Sequence, residues 1–224
     1  MHLKNNKNNY LIILINLFLF ISSTGITIYG IINGTSAGQR GENMSGISFF
    51  KAFTNLSNIF MGVCALIIFI ELILMYTHKI DSINQQFMKL YLLGVNSVCV
   101  TFITVLFFLA PMSYLSNGIS GFLSGYLGYL YHFHLLNPIL AVISFILLES
   151  HYSYNVKDQW LGILPVGLYS IVYVVNVIIL KNWEDFYGFT FGGRNYLVPI
   201  VLIIMYLLSY FISYILIKIR EILH

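Results

Sequence analysis

The chain reads as an all-α integral membrane protein, one domain over residues 1–224 built from six transmembrane helices. Composition is the first observation behind that reading: 58% of the residues are hydrophobic and 8% charged, against about 25% charged in soluble domains. The second is six apolar stretches near the length of about 20 residues that a bilayer demands. The third is that Lys and Arg gather at the ends of those stretches. A net charge of +3, spread in this way, argues against nucleic acid as a partner.

In chain order the expected spans are 10–32, 54–76, 90–110, 126–148, 160–180 and 196–217. The first follows Lys4 and Lys7 like a signal peptide. Its apolar run is longer than the usual ~7–15 residues, and a second span follows soon after, so a membrane anchor is the better reading. With the N-terminus inside, Lys4, Lys7, Lys79, Lys89, Lys157, Lys218 and Arg220 lie inside, and Arg40, Lys51, Lys181 and Arg194 outside. Seven against four predicts both termini in the cytoplasm of a cell membrane. Abundant Ile, Asn and Tyr with little Ala suggests an AT-rich, bacterial source.

Cys64 and Cys99 fall inside apolar runs and read as small buried hydrophobes. Gly118, Gly121, Gly125 and Gly128 read either as a flexible loop or as sites of close helix approach. The aromatic link 182–194 reads either as an interfacial belt or as a lid over a cavity. Glu71, near an inner end, is expected to snorkel or pair with Lys79 or Lys157.

The second span opens with Phe53-Thr-Asn-Leu-Ser-Asn58. Helical spacing puts Thr54, Ser57 and Asn58 on one face. The fourth span carries His132, His134, Asn137 and Pro138. An ionisable residue at bilayer depth is a functional-site hypothesis by default, and a proline cannot bond the carbonyl four residues back, here that of His134. A bend is therefore expected at the histidine. His132, about 200° away around a helix, faces elsewhere and meets the interface or another helix.

Thr54 and His134 both fall in the outer half, with Thr104, Thr101 and Ser97 of the third span able to line it. The inner half is expected to be apolar apart from Glu71, Asn96 and Asn176. One polar chamber on the outer side follows. A threonine hydroxyl becomes a nucleophile when a histidine takes its proton. That couple suits acyl transfer from a lipid ester to water, with Asn55, Asn58 or Asn137 steadying the oxyanion. Phosphate loops, serine elbows, His-Glu-x-x-His pairs and Cys clusters are absent from the sequence, and no metal or cofactor is expected.

Six spans, Phe53-Thr-Asn-Leu-Ser-Asn58, His134-x-x-x-Pro138, Tyr187-Gly-Phe and the Gly-Val-Asn-Ser…Phe-Leu-Ala-Pro third span together resemble the androgen-induced-gene family, closest to its uncharacterised bacterial relatives. Those relatives often carry an acid one and a half turns beyond the proline, where this chain has Ser144. The resemblance implies an intramembrane threonine hydrolase acting on fatty-acid esters of hydroxy fatty acids. Thr54 would be the nucleophile and His134 the base, with Ser57, Asn58, Thr104, Asn137 and Tyr187 around a membrane-lipid or lipid-like substrate. The competing reading is a small-solute or lipid transporter or binding protein. Prolines 111, 138, 165 and 199, one in each of the last four spans, keep it open, because broken helices are common in transporters.

Overall fold

A computed structural model describes residues 7–37, 42–149 and 152–223. Six helices are long and apolar enough to cross a membrane, and the chain is a multi-pass all-α membrane protein. The helices are α1 (Lys7–Asn33), α2 (Phe53–Tyr76), α3 (Gln85–Ser124), α4 (Tyr129–Leu147), α5 (Val156–Ile179) and α6 (Asn195–Leu223). An even number of crossings brings both termini to one end of the bundle. Lys4 and Arg40, which enter the charge count, lie outside the described residues.

α3 is the central element: 56% of its apolar window is buried inside the bundle, against 28–39% for the other spans. It touches α2, α4, α5 and α6. Its inward face, with Met88, Leu92, Val95 and Val98, meets Met61, Ala65 and Ile68 of α2 and Phe145 of α4 in the main core. Outward residues such as Phe107, Leu115, Leu168 and Ile203 remain exposed, as a lipid-facing surface requires.

The connections follow from local chemistry. Gly34 ends α1 at φ +78, its amide returning to the Gly30 carbonyl at 2.9 Å, an αL stop that glycine adopts without strain. A short antiparallel pair follows, β1 (Thr35–Ala37) with β2 (Glu42–Met44), then a 3-10 turn over Gly46–Lys51. Asn84 caps α3 by accepting the Gln86 amide. Glu71 accepts the Asn84 amide at 3.0 Å, so its carboxylate serves the start of α3 and not Lys79 or Lys157. An Asn155–Asp158 capping box opens α5.

α3 runs on past Ala110, where the expected span stops, to Ser124. Gly118 (φ +63) breaks it, and a Cβ on Gly121 would sit 2.3 Å from the Ser113 carbonyl oxygen. These glycines make a tight fold-back and not a slack loop.

The termini half is not apolar. Asn16, Tyr91 and Ser144 close a hydrogen-bonded ring between α1, α3 and α4, with contacts of 2.7, 2.9 and 2.8 Å. Ser144 is therefore a buried structural hydroxyl. A second knot joins Asn96 to Ser209 and Ser213. Ser209 also donates to the Gly162 carbonyl at 2.7 Å. Asn176 belongs to the other end of the bundle, near the end of α5, and bonds the Val172 carbonyl. Buried amides and hydroxyls glue helices in both halves.

Candidate functional site

Three π-helical turns occur among the described residues: Val105–Leu109 within α3, His132–Leu136 within α4 and Val174–Ile179 closing α5. All lie in the half opposite the termini. Such turns inside α-helices, π-bulges, are frequent at functional sites. The one in α4 explains what Pro138 does. Asn137 sends its amide five residues back to His132, so the Phe133 carbonyl loses that partner, and the next residue is a proline with no N–H. The Phe133 carbonyl is therefore left without a helical donor, next to that of His134, which Pro138 cannot serve. Asn58 meets the Phe133 carbonyl, donating Nδ2 at 3.3 Å.

Asn58 also donates to the Thr54 carbonyl at 2.9 Å and accepts Asn137 Nδ2 at 3.0 Å. Asn137 in turn accepts from Ser22 Oγ at 3.1 Å, and His132 Nδ1 lies 3.4 Å from the same hydroxyl. His132 stacks on Phe18. It thus meets another helix, α1, and closes a polar chain that holds α1, α2 and α4 together.

Thr54 stands in the first turn of α2. Ala52, the N-cap, has no side chain to offer, and the Phe53 amide instead donates to the Tyr187 phenol oxygen at 2.7 Å. Burial pushes the Tyr187 hydroxyl above its ordinary range, and hydrogen bonds with Thr54 and the Phe53 amide only partly offset that, so the phenol stays neutral. Tyr169 ties the same corner to the Lys51 carbonyl at 2.7 Å.

Asp185 fixes the loop that carries Tyr187. Its carboxylate accepts the Tyr173 hydroxyl, the Phe189 amide (3.0 Å), and the amide (2.8 Å) and hydroxyl (2.6 Å) of Thr190. Burial opposes that charge, but the Thr190, Tyr173 and backbone hydrogen bonds outweigh it and hold the carboxyl below 3.8. Phe186, Tyr187 and Phe189 then pack with Tyr173, Val177 and Met44 as a second core, a buried plug rather than an interfacial belt.

Below this plug lies a slot of about 30 Å³, room for about one or two waters. Thr54, Thr101, Thr104, Ser170 and Tyr187 line it, in walls that are almost wholly apolar and include Phe53, Val105, Val166 and Met205. The structure therefore gathers Thr54, Thr104 and Tyr187 in one cavity. Ser57 lies behind it, 2.9 Å from Thr101 Oγ1 and donating to the Thr54 carbonyl. Asn58 and Asn137 form the pair beside the α4 bulge.

His134 is buried and does not line the slot. Its Nδ1 lies 2.6 Å from the Gly125 carbonyl oxygen. A carbonyl only accepts, so Nδ1 carries the proton and Nε2 the lone pair. Val105 lines the slot, and its Cγ1 would lie 3.6 Å from a Cβ on Gly125, the residue whose carbonyl holds His134. Thr54 and His134 are nonetheless near neighbours along the fold, since Asn58, one turn below Thr54, holds the carbonyl next to His134.

The sequence reading passed over Tyr169, Ser170, Tyr173, Ser22 and Asp185. Tyr169 and Tyr173 share a helix face at four-residue spacing, and Asp185 stands just before Gly188 and Thr190, a turn-forming arrangement; those signals were available. Among the described residues no cluster of three His, Cys, Asp or Glu could hold a metal, and both cysteines are buried and free. Comparison with protein-family models, curated proteins and solved structures gives no match.

Proposed function

We propose that the protein is an intramembrane lipid-ester hydrolase whose nucleophile is Thr54, with both termini on the cytoplasmic side of a cell membrane. The observation that carries the reading is the setting of Thr54: a buried threonine in the first turn of a helix, beside a neutral phenol, in the wall of an apolar slot. Thr54 Oγ1 forms a bond to the ester carbonyl carbon while its proton passes to His134 Nε2 through a water in the slot. The Tyr187 phenol donates to the developing oxyanion. The leaving alcohol takes the proton from His134, and water then hydrolyses the acyl-threonine. Movement of the Val105 side chain opens the path between Thr54 and His134.

In vesicles containing a fatty-acid ester of a hydroxy fatty acid, the protein is expected to release free fatty acid. Thr54→Ala and His134→Ala should each lower the rate by about 10²–10⁴-fold, and His132→Ala should retain most of it. The second reading, a lipid or small-solute binding or transport protein without chemistry, is favoured by the His134 imidazole meeting Gly125 and not the slot. Retention of labelled lipid with no turnover in the native chain would establish it over the first.

A further inference from the structure

The loop that plugs the slot has a second side. Tyr187 and Phe189 face the slot, whereas Gly188 and Thr190, between and beyond them, line a separate cavity of about 540 Å³. On α3, Leu109 lines the slot and Met112, one turn farther along, lines the outer cavity. Its volume falls in the ~300–1,000 Å³ range of small-molecule sites. Asp185 and Arg194 both line it. The Asp185 carboxylate is saturated by its four donors, and Arg194 forms no ion pair among the described residues. The exposed Arg194 thus lines a cavity whose one acid among the described residues is already committed.

We infer that this cavity holds the phosphate-bearing headgroup of a glycerophospholipid, with Arg194 gripping the phosphate. A guanidinium presents two parallel donors that match phosphate oxygens. The position favours a lipid over a dissolved anion: Arg194 immediately precedes α6. Met112 and the half-exposed Phe191 form the apolar wall, and the exposed Leu115 and Tyr196 lie next along α3 and α6. The cavity is therefore at the bilayer surface with apolar flanks for acyl chains. The walls are held in shape by the Thr190 bridge, whose carbonyl accepts the Arg194 amide at 2.6 Å and whose hydroxyl accepts the Gly193 amide at 3.1 Å.

This inference stands apart from the hydrolase reading, and its test uses a lipid that cannot be hydrolysed. The full-length protein, purified in a non-ionic detergent, is titrated with ether-linked phosphatidylglycerol and retained lipid is counted by native mass spectrometry. The native chain is expected to retain it at least tenfold more tightly than an ether-linked diglyceride without phosphate. Arg194→Gln should remove that tenfold preference, Arg194→Lys should keep part of it, and Thr54→Ala should leave it unchanged. Equal elution volume and melting temperature of the Arg194→Gln protein show that it is folded. Equal retention by the native and Arg194→Gln chains overturns the inference. Competition by glycerol phosphate at the lipid's own concentration overturns the choice of a lipid. Competition by palmitate at that concentration overturns the choice of phosphate.

Discussion

Asn58 shows how one side chain can set the geometry of a helix it does not belong to. Its amide takes the carbonyl that the α4 bulge leaves behind, so its removal strands a buried acceptor. Asn58→Ala is expected to cost about 1–3 kcal/mol, read as a lower melting temperature in detergent, with Asn137→Ala close behind through the same pair. Asp185 acts on the other wall of the site. Its pKa is depressed, so the stability it gives is complete above 3.8 and is lost as the pH falls through the still lower folded-state value. Melting temperature should be flat from pH 7 to pH 5 and drop below pH 4. Asp185→Asn should melt lower at pH 7 and show a shallower acid limb, the remainder coming from Asp158, the acid of the α5 capping box.

At the scale of the element, the six spans were legible because apolar length and charge placement are dictated by the bilayer. The α3 extension was not, since Ser113–Ser124 is rich in Ser and Gly and reads as a loop. An irregularity before Pro138 was legible in place but not in kind: the structure has a π-helical turn there. A missing donor can be met by a kink or by one extra residue in the turn, and the choice depended on Asn58 of another helix. The slot itself was half legible: Thr54, Thr101, Thr104 and Tyr187 were foreseen, whereas Ser97 does not line it. His134 turned to Gly125, a contact set by the Gly125–Gly128 turn and invisible to helical periodicity. Gly162 gives an element-scale prediction. A Cβ there would lie 2.0 Å from Ser213 Oγ and 2.9 Å from Asn96 Nδ2. Gly162→Ala should therefore push α5 off α6 and lower the melting temperature by an overpacking cost of about 1–3 kcal/mol.

For the whole molecule, orientation follows from the basic residues clustered toward the termini end, including Lys79, Lys89, Lys157, Lys218 and Arg220. Reporter fusions after residue 220 should be active on the cytoplasmic side, and fusions in the link 182–194 on the opposite side. The two halves of the bundle differ in how they are held. Toward the termini, closed polar rings such as Asn16–Tyr91–Ser144 lock neighbouring helices. Toward the other end, the polar chain through Ser22, Asn137 and Asn58 is joined by an acid-anchored loop and aromatic stacking.

The π-bulges within α3 and α4 have a consequence for chain length. A bulge is a helix carrying one residue more than its α-helical path requires, with the surplus absorbed by a five-residue hydrogen bond. Deleting one residue inside 105–109 or 132–136 would return the turn to α register without rotating the helix beyond it. The same deletion in the unbulged middle of α2 would turn every later side chain by about 100° and expose the core. The bundle should thus tolerate single deletions at these places and insert normally. What the deletion at 132–136 would forfeit is the displaced Phe133 carbonyl, and with it the hold that Asn58 has on the backbone beside His134.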